Sequence, residues 1–400
     1  MAKRKDGYYH KEARRTVRDG SSARAGALVV GGLDVLMFVV TILSGLALLG
    51  GLFAKVLPPR AGALFVFAGL FYQIIYLVNM LSAAWWALRW KKWFFISGAM
   101  LLLGAGNVGL FYRSDISTKR PEINRERDDV VVASYNVMTF ASMSDPDVGA
   151  ELDSVTTWIN THSAGIVCLQ ESHFTERDNF EKFKEGLSKL RYGFFVNSTT
   201  SRANSSTGSG FAVLSAYPIV RHGISDADEN RINAVWADVK VGRDTVRVFN
   251  THLQSTGITQ EDSRTTLSTH IIEETERGDK LLGVARKMYG NYKRRSVEAN
   301  HISSQIKGSK YPVIVCGDFN DTPVSYTYRK MKTRRLEDAF VECGRGVEYT
   351  YTGLYKLFRI DYILSDKEYF TVKSYDSFNL DISDHKALVV RLGRNTQQVQ

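Results

Sequence analysis

YPVIVCGDFNDTP, residues 311–323, opens on an apolar run, Val313, Ile314, Val315 and Cys316, of strand length and with no polar break. That is the pattern of a strand buried on both faces. Gly317 ends the run, and Asp318, Phe319 and Asn320 precede a turn signal, Asp321-Thr322-Pro323. Side chains alternate along extended chain, so Asp318 and Asn320 leave the strand end in the same direction. A carboxylate that accepts a proton, beside a carboxamide that both donates and accepts hydrogen bonds, is suited to activating water at a phosphate. The same residues also suit a strand that ends in a polar turn, where Asp and Asn bond to their own backbone.

Outward from this stretch the same pattern recurs. Short apolar runs at 130–135, 166–170, 193–197, 211–215, 234–239, 246–250, 361–364 and 387–392 read as further strands. Residues 151–162 and 179–189 carry apolar residues at helical spacing. Many strands with a few helices between them predict a layered α/β sandwich around one large core. Polar residues stand where the strands run out. Asn136 follows VVASY, Glu171 follows IVCLQ, His252 follows VRVFNT, Asp361 sits in RIDYIL, and Asp384 and His385 lie in ISDHKALVV. Each alone has a plain explanation: a turn cap for Asn136 or Asp384, a helix cap for Glu171, a pair with Arg359 for Asp361.

Seven strings stand in one order along the chain: SYNVM, LQES, GSGFAVLSAYPI, NTHLQS, GDFNDTP, RIDYIL and SDHKAL. On these motifs residues 128–394 resemble the endonuclease/exonuclease/phosphatase superfamily. The resemblance implies a deoxyribonuclease-I-like, four-layered α/β sandwich with its site at the upper ends of both sheets. It further implies a Mg²⁺-dependent hydrolase, with Mn²⁺ as the alternative ion. Glu171 would be the principal metal ligand, with Asn136 and Asp384 on or near the ion. Asp318 would be the general base, Asn320 would hold Asp318 and a phosphate oxygen, and His252 would donate to a non-bridging oxygen. His385, oriented by Asp361, would stabilise the reacting phosphorus or help the leaving oxygen. The expected activity is phosphodiester hydrolysis by in-line attack of water, on a nucleic acid or a lipid headgroup. A monoesterase of the same fold and a non-catalytic binding module are the alternatives. The stretch 256–310 departs from the family pattern. Its Arg286, Lys287, Lys293, Arg294 and Arg295 read as a solvated helix face or as a basic flap over the site.

Charge and hydropathy set the N-terminal third apart. The net charge is +10, yet residues 1–120 hold 16 Lys and Arg against 5 Asp and Glu, and the remainder holds 36 against 37. The high pI is therefore no signature of nucleic-acid binding by the C-terminal part. Residues 1–26 read as a basic cytoplasmic tail and 27–113 as an anchor of three transmembrane helices, at 35–54, 61–88 and 93–112. Residues 114–128 read as a linker, and 129–394 as the catalytic domain. Arg89, Lys91 and Lys92 lie among tryptophans and, with the tail, predict a cytoplasmic side; a catalytic domain beyond three crossings is expected outside the cytoplasm, at the cell membrane. Cys168, Cys316 and Cys343 are too few and too apolar in setting for a disulfide frame.

Overall fold

The computed structural model describes residues 31–114, 129–138, 148–174, 177–198, 209–225, 227, 231–257, 274–353 and 356–395. The predicted basic tail, almost all of the predicted linker and the first part of the 256–310 stretch lie outside the described residues.

The helices are α1 (Gly31–Ala54), α2 (Ala63–Leu70), α3 (Tyr72–Leu88), α4 (Phe94–Gly104), α5 (Val148–His162), α6 (Arg177–Glu185), α7 (Glu274–Gly308), α8 (Tyr326–Met331) and α9 (Ala339–Cys343). The strands are β1 (Tyr112–Arg113), β2 (Val130–Asn136), β3 (Ile166–Ser172), β4 (Tyr192–Asn197), β5 (Gly210–Ser215), β6 (Ile219–Ser225), β7 (Ala234–Val241), β8 (Asp244–His252), β9 (Val313–Asp318), β10 (Leu336–Asp338), β11 (Gly346–Val347), β12 (Asp361–Asp366), β13 (Phe370–Phe378) and β14 (Ala387–Arg394).

All nine predicted strands form. They fall into two six-stranded mixed sheets, ordered β13-β14-β2-β3-β5-β4 and β10-β12-β9-β8-β7-β6. One pair in each is parallel, β2 with β3 and β8 with β9, and the rest are antiparallel. Alternation along each central strand builds three apolar layers. Val130 and Val132, Ile166 and Cys168, Val246 and Val248, and Ile314 and Cys316 meet between the sheets. The intervening Val131, Ala133, Val167 and Leu169 face Val155, Trp158, Ile159, Phe180 and Phe183 of α5 and α6. On the far side Phe249, Val313, Val315 and Leu364 face Ala299, Ile302 and Ile306 of α7 and Tyr328 of α8. The fold is thus helix, sheet, sheet, helix. All three cysteines are buried, and none forms a disulfide.

The chain divides into two compact units, Met1–Gly50 with Phe71–Gly106, and Gly51–Leu70 with Asn107–Gln400. Within the first, Trp86 Nε1 donates to Thr41 Oγ1 at 2.8 Å, and Arg89 pairs with Asp34 at 3.1 Å. The three predicted stretches, all among the described residues, do not form three unbroken crossings. Among the described residues only α1, 24 residues long, is long and apolar enough to cross a membrane alone. The apolar stretch 61–88 is broken at Phe71 into α2 and α3, and 93–112 yields the shorter α4 and a 3₁₀ turn. The break has a tertiary cause. The Gly69 carbonyl accepts from Thr322 Oγ1 at 3.2 Å, and a Cβ at Gly69 would lie 2.4 Å from the Val324 carbonyl. With Val66 and Leu70 against Met288 and Tyr292 of α7, α2 belongs to the unit that holds the sandwich.

Candidate active site

Strand pairing sets three of the predicted residues side by side. His252 is the register partner of Asp318 across β8 and β9, and Asp318 is the partner of Asp361 across β9 and β12. Directly opposed residues project to the same face about 4.5–5.5 Å apart, so they form one row. Gly317 permits the row: its φ is +131°, and a Cβ there would lie 1.9 Å from the Thr251 carbonyl. Asn320, in the left-handed region at φ 52°, turns back on Asp318. Its N–H donates to Asp318 Oδ1 at 2.6 Å, and its Nδ2 donates to Asp318 Oδ2 at 2.9 Å and to the Leu253 carbonyl at 3.1 Å.

The facing sheet contributes the other half. Unbroken alternation would send Glu171 toward α5 and α6, the side taken by Val167 and Leu169. Instead β3 slips register between Leu169 and Ser172, and Glu171 adopts φ 51°. The bulge re-aims the side chain toward the strand ends. Asn136 Nδ2 then donates both to Glu171 Oε1 at 3.1 Å and to Asp318 Oδ2 at 3.3 Å, one amide joining carboxylates from two sheets. Its Oδ1 accepts from the Met138 N–H at 3.1 Å. His252 Nε2 lies 3.3 Å from Glu171 Oε1 and 3.7 Å from Asp318 Oδ2. His385, just before β14, sets Nδ1 at 3.1 and 2.9 Å from the two Asp361 oxygens. Its Nε2 is 3.8 Å from Asp318 Oδ2 and 3.7 Å from Asp384 Oδ1. Ser383 Oγ accepts from the His385 N–H at 3.1 Å and donates to the Asn136 carbonyl at 2.7 Å. All eight predicted residues therefore lie in one connected cluster. Asp361 does not pair with Arg359, whose guanidinium is held by Asp338 at 3.1 and 2.8 Å.

Burial and charge tune these groups unequally. Burial, with Asp361 adding to it, pushes the Asp318 carboxyl up to about 6 against His385 and His252. For His385 burial works the other way, but Asp361 above all, with Asp318, lifts it to about 10. Burial also dominates at His252 and lowers its pKa despite Glu171 and Asp318 beside it. At Glu171 burial is outweighed by His252 and the Asn136 amide, which hold the carboxylate below its ordinary range.

Two residues of the site's floor lie inside the quoted motifs but carry no predicted role. Gln170 and Asn250 occupy inward positions that apolar residues fill further down β3 and β8. Gln170 Nε2 donates to Asn250 Oδ1 at 2.7 Å, and Asn250 Nδ2 to the carbonyls of Leu169 and Ala212 at 2.9 and 3.0 Å. A polar residue at an inward position of each of two strands was the signal. Tyr351, whose ring centroid is 5.3 Å from that of His385, stands in no motif. Burial, with Asp384 beside it, pushes its hydroxyl up to about 12.

The donor set fits a hard divalent cation. Glu171 and Asp384 are carboxylates whose side chains remain 26% and 37% exposed, so an ion they held would keep waters of its own. Asp318, Asp361 and His385 also bring ligand atoms within 4.8 Å of one another. That group is less apt, because His385 Nδ1 is committed to Asp361 and the imidazole is drawn toward its cationic form.

Known proteins resemble parts of this chain. The zebrafish (Danio rerio) protein angel homolog 2 is 24% identical over 249 residues, covering 56% of this chain and 39% of that protein. The chain thus spans about two fifths of the length of that curated relative. Among solved structures, an endonuclease/exonuclease/phosphatase from Bacteroides vulgatus aligns at 21% identity and TM-score 0.48, over 67% of this chain and 99% of that one. The human Nocturnin catalytic domain with bound sulfate aligns at 19% and 0.47, over 68% and 96%. The Bacteroides thetaiotaomicron mannosyl-6-phosphatase aligns at 18% and 0.46, over 66% and 99%. A family model described as a domain of unknown function matches residues 34–111. A second matches residues 133–385, more than half of the chain and every residue of the cluster, and the chain belongs to the family it describes, the endonuclease/exonuclease/phosphatase family.

Proposed function

We propose that the chain is a membrane-anchored, divalent-metal-dependent phosphodiesterase that works by direct in-line attack of water. The observation that carries the reading is the row of His252, Asp318 and Asp361 on three adjacent strands, met by Asn136, Glu171 and His385 from the facing side. Asp318 takes the proton of the attacking water. Its pKa of about 6 leaves it ionised at neutral pH and still basic enough to serve. Asn320 fixes its two oxygens. Neutral His252 donates to a non-bridging oxygen, and cationic His385, held by Asp361, delivers a proton to the leaving oxygen as the phosphorus–oxygen bond breaks. Glu171, with Asn136 and Asp384, would hold Mg²⁺ or Mn²⁺, which would supply positive charge against the charge that develops on the phosphoryl oxygens.

Anchoring is assigned to α1, preceded by eight Lys and Arg residues among the first 26. Such a charge bias favours a cytoplasmic N-terminus, which sends the sandwich to the far side of the membrane. The substrate is a phosphodiester of a nucleic acid or a lipid headgroup. Full-length protein in detergent is to be assayed on bis-(p-nitrophenyl) phosphate and p-nitrophenyl phosphate with Mg²⁺, Mn²⁺ or chelator. Metal-dependent hydrolysis favouring the diester, abolished in a folded Asp318→Asn variant, is the expected result. Failure to cleave either ester with any divalent ion sinks the proposal.

A further inference from the structure

The loop after His252 is held by side chains from the middle of α7. Both backbone polar groups of Gln254 are taken: its N–H donates to Glu298 Oε2 at 2.7 Å, and its carbonyl accepts from Arg295 Nε at 2.7 Å. The second Glu298 oxygen accepts from Asn233 Nδ2 at 2.9 Å, and the Asn233 carbonyl accepts from the His252 N–H at 2.9 Å. Arg295, Glu298 and Asn233 are 0%, 6% and 1% exposed. Buried, charge-assisted bonds of this kind form a stiff frame. Arg295 is therefore part of the floor, and both the solvated-face and the flap readings fail for it; Lys293 and Arg294 are the exposed neighbours.

With its backbone locked, Gln254 presents its side chain to Arg231. Gln254 Oε1 accepts from Arg231 Nη1 at 2.9 Å. Gln254 is a neutral amide, so the contact orients the Arg231 guanidinium without neutralising it. Arg231 remains partly exposed, and it is near enough to Glu171 and His252 for its charge to act on both. A planar fork of donors matches phosphate oxygens, two at a time.

We propose that Arg231 contacts the substrate: aimed by Gln254, its guanidinium binds a non-bridging oxygen of the phosphoryl group beside His252 and meets the charge that builds there during attack. The proposal rests on the phosphoesterase reading. It also gives the inner face of α7 a task, since Arg295 and Glu298 are positioning residues that hold Gln254 in place.

The test uses the full chain with Arg231→Ala, Arg231→Lys and Gln254→Ala, and with Arg294→Ala as the surface control. Loss of one preorganised donor predicts a fall of about 10²–10³-fold in kcat/KM for Arg231→Ala on bis-(p-nitrophenyl) phosphate. Lysine restores only part of it. Millimolar guanidinium chloride returns activity to Arg231→Ala while leaving wild type and Gln254→Ala unchanged, a rescue that a merely structural arginine does not give. Calorimetry with inorganic phosphate and Mg²⁺ supplies a reading independent of turnover: wild type binds, and Arg231→Ala binds at least about tenfold more weakly, in keeping with the ~1.5–3 kcal/mol of a charge-assisted bond. Arg231→Ala within threefold of wild type in kcat/KM, unchanged phosphate affinity, or no phosphate binding by wild type each overturns the proposal. If wild type cleaves neither ester, the phosphoesterase reading falls and the phosphate titration alone decides the role of Arg231.

Discussion

Replacing Asp361 with asparagine removes one charge and little else. The amide keeps an acceptor oxygen for the His385 Nδ1–H, so the 2.9 Å contact and the strand register need not change. What goes is the largest influence raising the His385 pKa to about 10. At pH 8 a group with that pKa is about 99% protonated; at the ordinary value of about 6.5 it is about 3% protonated. Loss of the cation alone therefore lowers turnover roughly 30-fold at pH 8, and loss of proton transfer extends this toward about 10²–10⁴-fold. The signature lies in the pH dependence. Lowering the pH to 6.5 restores the cation to about half of the variant molecules, so the variant-to-wild-type ratio should climb about 15-fold between pH 8 and 6.5. Asp361 also helps to raise the Asp318 pKa, so its loss keeps the base ionised to lower pH and pushes the ratio the same way. Steady-state hydrolysis of the diester at saturating Mg²⁺ across pH 6–8.5, with a urea melt to confirm folding, provides the data. A flat ratio, or a rate at pH 8 within threefold of wild type, refutes the dyad.

Gly317→Ala should destabilise the chain by roughly 2–6 kcal/mol, since its Cβ would meet the Thr251 carbonyl at 1.9 Å in a backbone region L-residues avoid; a urea midpoint like wild type contradicts this. In chelator, stability should fall as pH rises. A folded His385 pKa of about 10 against about 6.5 unfolded gives stabilisation complete below pH 6.5 and lost toward pH 10, at most about 5 kcal/mol, and His385→Gln should flatten that part of the pH–stability curve. A chain beginning at residue 114 lacks α2, and loses the burial of Val66 and Leu70, roughly 1.5–3 kcal/mol each; its thermal midpoint should drop, and an unchanged one removes α2 from the sandwich.

The central strands were legible because burial on both faces leaves an unbroken apolar run, as in Val313 to Cys316. Of the edge strands of the two large sheets, β4 was legible, and β6, β10 and β13 were not. In β6 the exposed Val220, Arg221 and His222, and in β13 the exposed Thr371 and Asp376, interrupt any regular pattern, since an edge strand buries only part of each face. Helix α6 stops at Glu185 although apolar spacing continues to 189, because Gly186 and the turn at Leu187 intervene. The stretch 61–88 reads as one span by hydropathy alone. Its break at Phe71 depends on Thr322 and Val324, some 250 positions away, and no local window reports that. The site was legible as a set of polar residues at strand ends. The β3 bulge that turns Glu171 inward, and the α7 frame behind His252, were not.

Why the amides Gln170 and Asn250 sit among apolar neighbours follows from the way the site is divided. Asn136 and Glu171 ride on one sheet, and His252, Asp318 and Asp361 on the other, so their spacing is the spacing of the sheets themselves. The apolar layer of Val132, Cys168, Val248 and Cys316 holds the sheets together, but hydrophobic attraction has no direction and tolerates small slips of one sheet over the other. A hydrogen bond does not. Gln170 donating to Asn250 across the gap, and Asn250 donating back to Leu169 and Ala212, fix that slip one layer below the catalytic row. Buried and bonded to each other, the two amides cost less as a pair than either one left alone, which would leave its partner unpaired in the core. Directional bonds stand where geometry must be held for chemistry, and apolar contacts suffice where it need not be.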